Sequence, residues 1–192
     1  MTDAPTGDDA RLPVAFLGDA FVDVHAGGVG ALPQWGTDTH CEYVSMLIGG
    51  SCANTARHCA SLGRGALDVS FFSVVGDDEL GVHFVTTLAG EGLLRAPHDT
   101  LVPLRGVPQS SCVVLSGPSD RALVSCYTSV GKLALSHLAR TGLCGDGSGG
   151  PTRWRLLHIG GYFNCPGLHT DALLALAAEA QPFIYVRACV RA

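Results

Sequence analysis

The 192-residue sequence predicts one α/β domain built on a parallel β-sheet, on the evidence of its length, its composition and the order of its apolar segments. Domains usually contain about 100 to 200 residues, so this length favours a single domain. Hydrophobic residues make up 47% of the chain and charged residues 15%, a composition that excludes an intrinsically disordered protein. Short apolar runs alternate with segments of helical spacing, which is typical of a parallel sheet covered by helices.

The first half of the chain supplies two strand and helix pairs after a leader, residues 1–11, that we expect to be disordered. Each predicted strand is a short apolar run that stops at glycine or at glycine and aspartate. Ser51 and Asp77 are the expected N-caps of the two helices, because serine and aspartate side chains accept hydrogen bonds from the first helical amides. The predicted strands cover residues 14–17, 41–48 and 69–75, and the predicted helices cover 51–62 and 78–88.

In the second half of the chain, the alternation of strands and helices is interrupted at residues 100–127. Two β-rich runs, residues 111–115 and 121–126, are separated by the turn sequence SGPSD, and this arrangement predicts a hairpin inserted into the alternating chain. The alternation then resumes. We predict a short helix at 132–139, a flexible loop at 142–151, a strand at 154–159, a helix at 168–180 and the start of a strand at 183–186.

Charge and hydropathy exclude several classes of function. The net charge is −5, from 12 basic and 17 acidic side chains, and no run of Lys or Arg occurs, which argues against a nucleic-acid or anionic-membrane partner. The longest apolar stretches, such as residues 173–178, fall short of the roughly 20 residues of a membrane span, and the N-terminus is acidic. We therefore expect a cytoplasmic protein whose eight cysteines are small buried thiols, with no metal site.

The sequence GGSCAN, residues 49–54, lies at a predicted strand-to-helix junction and admits three interpretations. Ser51 could be the nucleophile of an elbow-type hydrolase, with His158 or His169 as its base. Ser51 could instead simply cap the helix. In the third interpretation the paired glycines let a small polar ligand approach the backbone, while Asn54 offers an amide donor and a carbonyl acceptor. That chemistry suits the hydroxyl groups of a sugar.

Five motifs in order resemble the N-terminal part of the PfkB, or ribokinase-like, family of carbohydrate kinases. The resemblance spans roughly residues 13–180, and the combination of GG-x-x-x-N with VGDD-x-x-G is its most specific part. Cys52 departs from the pattern, because the family prefers Gly, Ala or Pro there. The motifs are GD-x-x-x-D at 18–23, GG-x-x-x-N at 49–54, LG at 62–63, VGDDELG at 75–81 and LHIGGY at 157–162.

This resemblance implies a three-layer α/β/α sandwich with a small β-sheet lid, to which the region of about residues 100–127 would belong. It implies ATP-dependent phosphorylation of a hydroxymethyl group of a sugar or nucleoside, with Mg²⁺ as the metal cofactor and a homodimer formed through the lid. By similarity, Asp23, at the end of an early strand, would bind substrate hydroxyls with its carboxylate, and Asn54 would do so with its amide. Gly49 and Gly50 would form the floor beneath the sugar, and Arg121 would be a basic residue of the lid.

The catalytic hallmark of that family, a D-T-x-G-A-G-D segment, is missing from this sequence. In the family it supplies the anion hole and the catalytic base, so we expect no catalytic residue here. Residues 12–192 would then be a partial domain that lacks its C-terminal half and carries the sugar-binding part of a kinase. The alternatives are a catalytically inactive sugar-binding remnant and the Ser51 hydrolase.

Overall fold

The computed structural model describes residues 11–144, 154–179 and 184–186, which form two β-sheets and four α-helices. The strands are β1 (Leu12–Gly18), β2 (Phe21–Gly27), β3 (Tyr43–Gly49), β4 (Leu67–Gly76), β5 (Leu101–Leu104), β6 (Ser111–Ser116), β7 (Arg121–Cys126), β8 (Leu156–Gly160) and β9 (Ile184–Val186). The helices are α1 (Ser51–Leu62), α2 (Glu79–Glu91), α3 (Pro97–Thr100) and α4 (Asp171–Glu179).

The larger sheet has the strand order β5-β4-β1-β8-β9, and every neighbouring pair in it is parallel. The parallel sheet predicted from the sequence is therefore confirmed. β1 and β4 are buried along most of their length, as expected for parallel strands covered on both faces. The buried residues of α1 are all small, which lets this helix lie close to the sheet; they are Cys52, Ala53, Ala56 and Ala60.

The smaller sheet has the strand order β3-β2-β6-β7 and is called the lid below. The predicted hairpin is confirmed, because β6 and β7 pair antiparallel from Ser111 with Cys126 to Ser116 with Arg121. The sequence interpretation missed β2, because Gly18 and Asp19 were taken as the end of the first strand. Asp23 consequently lies inside β2 and not at the end of an early strand, paired with Leu47 of β3 and Cys112 of β6.

The buried Gln109 joins the lid to the larger sheet at the start of β6. Its Nε2 donates to the Ala20 carbonyl at 2.9 Å, and its Oε1 accepts from the Gly76 amide at 2.8 Å. Its backbone amide donates to the Asp78 carboxylate at 3.0 Å. One side chain thus connects the β1–β2 link, the end of β4 and the beginning of β6, which fixes the lid relative to the sheet it covers.

The predicted helix caps were both wrong. Ser51 is the first residue of α1, and the N-cap position of this helix is occupied by Gly50, which has no side chain that could accept a hydrogen bond. Asp78 and not Asp77 caps α2, since its carboxylate accepts from the Gly81 amide at 3.0 Å. Asp77 instead accepts from the Gly106 amide at 2.7 Å and tethers the loop after β5.

The remaining differences concern boundaries and exposure. The helix predicted at 132–139 is two short 3₁₀ segments, and α4 is shorter than the predicted helix 168–180 because a 3₁₀ turn at Pro166–Leu168 precedes it. Residues 1–10 of the predicted leader and most of the predicted loop 142–151 lie outside the described residues. Within the described segments, the helices are too short or too polar to cross a bilayer. Three of the described cysteines are exposed and not buried, namely Cys41, Cys126 and Cys144.

Candidate functional site

A cleft of about 340 Å³ lies between the lid and the carboxyl ends of the parallel strands. This is the edge at which open α/β sheets usually bind their ligands. A groove of about 300 Å³ also lies at the tip of the lid, with a mainly apolar lining. The cleft has the richer set of polar groups; these are Asp19, Asp23, Ser51, Asn54, Arg121, Ser125 and Asn164.

The Asp19 carboxylate connects three segments around this cleft. Asp19 is only 2% exposed, and its Oδ1 accepts from the Cys52 amide at 2.8 Å and from the Ser51 hydroxyl at 3.1 Å. Its Oδ2 accepts from Asn164 Nδ2 at 3.1 Å. A negative charge is favourable at this place because the N-terminus of α1 carries the positive end of the helix dipole. Asp19 therefore takes the capping role that the sequence had assigned to Ser51.

Glycines allow the backbone to pass close to the two aspartates. Gly50 and Gly161 have positive φ angles of 96° and 62°, which side-chain-bearing residues rarely adopt. A Cβ atom on Gly161 would overlap the Asp19 carboxylate, and one on Gly49 would overlap the carboxylate of Asp23. Gly50 lines the cleft, whereas Gly49 lies against Asp23 and is not among the lining residues.

Asp23 is half-buried and projects from β2 into the cleft. Burial raises the pKa of Asp23 above its ordinary value, and the nearby positive charge of Arg121 opposes this shift. The negative charge of Asp19 raises the same pKa further, and His25 lowers it. The carboxylate is thus an acceptor whose ionisation depends on the balance between burial and the lid arginine.

Asn54 lies in the first turn of α1, and one hydrogen bond fixes the orientation of its side-chain amide. Its Oδ1 accepts from Arg57 Nη1 at 2.9 Å. Because a guanidinium has only donors, the oxygen of the amide must face Arg57 and the Nδ2 group must take the opposite position. Asn54 was expected to offer both a donor and an acceptor to a ligand. In the structure Arg57 takes one of the two acceptor positions of Oδ1, and the Nδ2 donor faces away from Arg57.

The contacts of Ser51 do not match the hydrolase hypothesis. The Ser51 hydroxyl donates to Asp19, while His169 Nε2 lies 2.9 Å from the carbonyl of Tyr162. The other candidate base, His158, is buried in β8 with its ring centroid 5.1 Å from that of Phe16. In an elbow-type hydrolase the nucleophile itself occupies the strained turn, whereas here the positive φ belongs to Gly50.

The structure thus brings Asp23, Gly50 and Asn54 of the sequence-predicted set to one cleft and adds residues that the sequence interpretation missed. Asp19 lies within the GD-x-x-x-D motif, and Asn164 follows the LHIGGY motif at a distance of two residues. Both positions therefore carried a weak signal. Two of the aromatic lining residues carried the same weak signal, because Phe21 lies within GD-x-x-x-D and Phe163 directly follows LHIGGY, whereas Tyr127 lies in none of the motifs.

Across the described ranges, no group of three or more His, Cys, Asp and Glu side chains is arranged to hold a metal ion. The Mg²⁺ implied by the sequence resemblance therefore finds no set of ligands among these residues, and none of them is assigned to a metal. Six of the described cysteines are free thiols, namely Cys41, Cys52, Cys59, Cys112, Cys126 and Cys165. Burial raises the pKa of both Cys52 and Cys165, so these two thiols stay protonated and serve as packing groups.

Sequence comparison identifies one family and no individual relative. The family model described as pfkB family carbohydrate kinase matches residues 14–128. No curated protein matches the sequence significantly.

Solved structures with the same fold are sugar kinases of greater length. A ribokinase from Giardia lamblia is 17% identical with a TM-score of 0.73, and the alignment covers 95% of this chain and 56% of that one. A sugar kinase from Pyrococcus horikoshii in complex with ATP is 16% identical with a TM-score of 0.70, covering 94% and 54%. A fructokinase from Xylella fastidiosa is 16% identical with a TM-score of 0.64, and the alignment covers 93% of this chain and 51% of that one. The ribokinase-like fold is thereby confirmed, and the chain spans slightly more than half the length of these structures.

We expect Asp19→Asn to lower the free energy of unfolding by about 1–3 kcal/mol, the usual effect of leaving a buried polar group without its partner. The NH₂ group of the new asparagine would face one of the three hydrogen-bond donors that the Asp19 carboxylate now satisfies, and two donors cannot bond each other. Urea unfolding followed by the fluorescence of the buried Trp154 measures this change. The control is Asp38→Asn, at a side chain that is 86% exposed. Equal stability of both variants would contradict the connecting role of Asp19.

Proposed function

Since this chain belongs to the pfkB family of carbohydrate kinases, we propose that it carries the sugar-binding half of an ATP-dependent kinase for a hydroxymethyl group of a sugar or nucleoside. The observation that carries the proposal is the meeting of Asp19, Asp23 and Asn54 at one cleft beneath the lid. Family membership indicates the reaction, and the cleft offers groups suited to the substrate.

Asp23 and Asn54 complement each other chemically. A sugar hydroxyl both donates and accepts, so it can donate to the Asp23 carboxylate while a neighbouring hydroxyl accepts from Asn54 Nδ2. A ligand that lacks either hydroxyl would leave a half-buried polar group without a partner, and sites of this kind discriminate strongly. This pairing supports a polyhydroxylated substrate over an apolar one.

The aromatic side of the cleft fits the other face of such a substrate. Phe21 and Tyr127 are in edge-to-face contact, with ring centroids 5.3 Å apart, and Phe163 lines the same cleft. Sugar rings present C–H groups as well as hydroxyls, and ligand sites usually combine an apolar wall with a few fixed polar groups. We propose that these rings pack against the apolar face of the sugar.

ATP as the phosphoryl donor and Mg²⁺ as its metal ion belong to the same proposal. Two solved structures of the same fold contain ATP, those of the Pyrococcus horikoshii sugar kinase and of the Xylella fastidiosa fructokinase. We assign no described residue to the nucleotide or to the metal, since the described part of the chain holds no suitable cluster of ligands. The catalytic residues are likewise unassigned.

A catalytically inactive sugar-binding protein is the second candidate, because the polar groups of the cleft suit a sugar and none of them is assigned to phosphoryl transfer. The two candidates differ in one readout. Sugar-dependent ADP formation from MgATP supports the kinase, whereas sugar binding without ADP formation supports the binding protein.

We expect Asp23→Ala and Asn54→Ala each to weaken sugar binding more than tenfold, which corresponds to about 1.4 kcal/mol. Each substitution removes one polar contact from the cleft. Isothermal titration of the 192-residue chain with D-ribose, D-fructose and adenosine measures the dissociation constants. Asp38→Ala, which changes an exposed carboxylate outside the cleft, is the control. Unchanged affinity in both cleft variants would remove this site assignment.

We also expect Arg121→Gln to move the acid limb of sugar binding to higher pH. The pKa of Asp23 is raised by burial and lowered by Arg121, so loss of this arginine raises it further. Binding that needs the ionised carboxylate is lost as the pH falls through that pKa. Titrations between about pH 7 and about pH 4 locate the midpoint. The control is Arg64→Gln, beyond the far end of α1, and an unshifted midpoint in Arg121→Gln would count against the role of Asp23.

The outer face of the lid supports the proposal of a homodimer. One row of aligned apolar residues crosses all four strands on the face opposite to Asp23, namely Met46, Val24, Val113 and Val124. Three of them are well exposed, at 50% for Met46, 39% for Val113 and 66% for Val124. An apolar band across an entire sheet is unusual for a monomer. We propose that a second copy of the chain covers it.

We expect the wild-type chain to be a dimer and Val124→Lys to be a monomer, because a charge within an apolar interface would be buried without a partner. Light scattering coupled to size-exclusion chromatography gives both masses. Val82→Lys is the matched control, since Val82 is 61% exposed but lies on α2. A monomeric wild type, or dissociation of the control as well, would refute a dimer formed by this face.

A further inference from the structure

The Arg57 side chain connects the substrate-facing turn of α1 with the end of α2. Its Nε donates to the two carboxylate oxygens of Glu91 at 2.9 Å and 3.1 Å, and its Nη2 makes a further close contact with Glu91 Oε1. The remaining arm, Nη1, donates to Asn54 Oδ1 at 2.9 Å. The two charged side chains are 28% and 22% exposed, so both are largely shielded from solvent.

This arrangement gives the guanidinium a fixed direction. The guanidinium is planar and can donate two hydrogen bonds to one carboxylate. Its pairing with Glu91 therefore fixes the plane of the guanidinium and, with it, the direction of the Nη1 donors. Glu91 is the last residue of α2, and Gly92 closes that helix in a left-handed conformation. The position of Glu91 is therefore set by the helix end and not by the cleft.

The charge of Glu91 also neutralises that of Arg57, so the pair adds no net charge next to the site. Arg57 is not among the residues that line the cleft and would not touch a ligand there. What it transmits to the cleft is the orientation of one amide. Without Arg57, the Asn54 amide could turn and present either its oxygen or its nitrogen.

We infer that Arg57, held by Glu91, is a positioning residue for the sugar site, because it keeps the Asn54 amide nitrogen directed at the ligand. This inference rests on the proposed function, in which Asn54 binds a substrate hydroxyl. It assigns a polarity to that contact: the ligand atom beside Asn54 is an acceptor. The site thereby prefers a hydroxyl that is free to accept a hydrogen bond at that position.

Arg57→Lys tests the inference, because lysine keeps the positive charge but lacks the planar guanidinium that hydrogen-bonds Glu91 and Asn54 at the same time. We expect the dissociation constants for D-ribose and D-fructose to rise about three- to tenfold, the range set by the loss of one hydrogen bond. In an Asn54→Ala background the same substitution should have no further effect. Arg95→Lys is the matched control, since Arg95 pairs with Asp68 at 2.7 Å away from the cleft.

Glu91→Gln is a second variant that weakens the contact between Glu91 and Arg57 by removing the negative charge. We expect it to raise the dissociation constants for the same sugars. Circular dichroism establishes that each variant is folded. Full binding affinity in folded Arg57→Lys would overturn the inference, as would additive effects of Arg57→Lys and Asn54→Ala.

A measurement without ligand separates this inference from the proposed function. In ¹⁵N relaxation spectra, the order parameter of the Asn54 side-chain amide should fall in Arg57→Lys and stay unchanged in Arg95→Lys. If the wild type binds none of the sugars but this order parameter falls as expected, the proposed function fails and the positioning role stands. An unchanged order parameter in Arg57→Lys would overturn the positioning role whatever the wild type binds.

Discussion

The buried carboxylate of Asp19 is the interaction on which the arrangement of the cleft depends. Asp19 is the only acidic residue among the described ones that is fully buried, and each of its oxygens is engaged by donors from other segments. Such a group is stable only when its hydrogen bonds are complete. β1 and β8 are neighbours in the sheet, with Gly18 aligned with Gly160, so their carboxyl ends bring Asp19 and the segment of Asn164 together.

The short path between the two sheets explains why Asp19 and Asp23 act on one cleft. The chain leaves β1 at Gly18 and enters β2 at Phe21, so only two residues separate the parallel sheet from the lid. Gln109 binds the carbonyl of Ala20 within this link. The two carboxylates therefore line the same cleft, Asp19 at the start of α1 and Asp23 on β2 of the lid.

The fold was largely predictable from the sequence, and the site only in part. Continuous apolar runs and the SGPSD turn predict the parallel sheet and the hairpin, because both signals are local. Asp19 was missed as a cap because its partner Ser51 is 32 positions away, whereas capping rules consider neighbouring residues. The link between Arg57 and Glu91 joins two helices at a separation of 34 positions. No local pattern indicates either contact, since each exists only after distant segments of the chain have packed together.

Together these contacts describe a cleft whose polar groups are oriented before a ligand arrives. Asp19 orders the start of α1, Arg57 orients Asn54, and Gly49 leaves room for the Asp23 carboxylate. The most direct test is a crystal structure of the 192-residue chain with the tightest-binding sugar of a panel that includes D-ribose and D-fructose. The account predicts sugar hydroxyls at about 2.7–3.2 Å from the Asp23 carboxylate and from Asn54 Nδ2. A sugar bound elsewhere, such as in the groove at the lid tip, would contradict it.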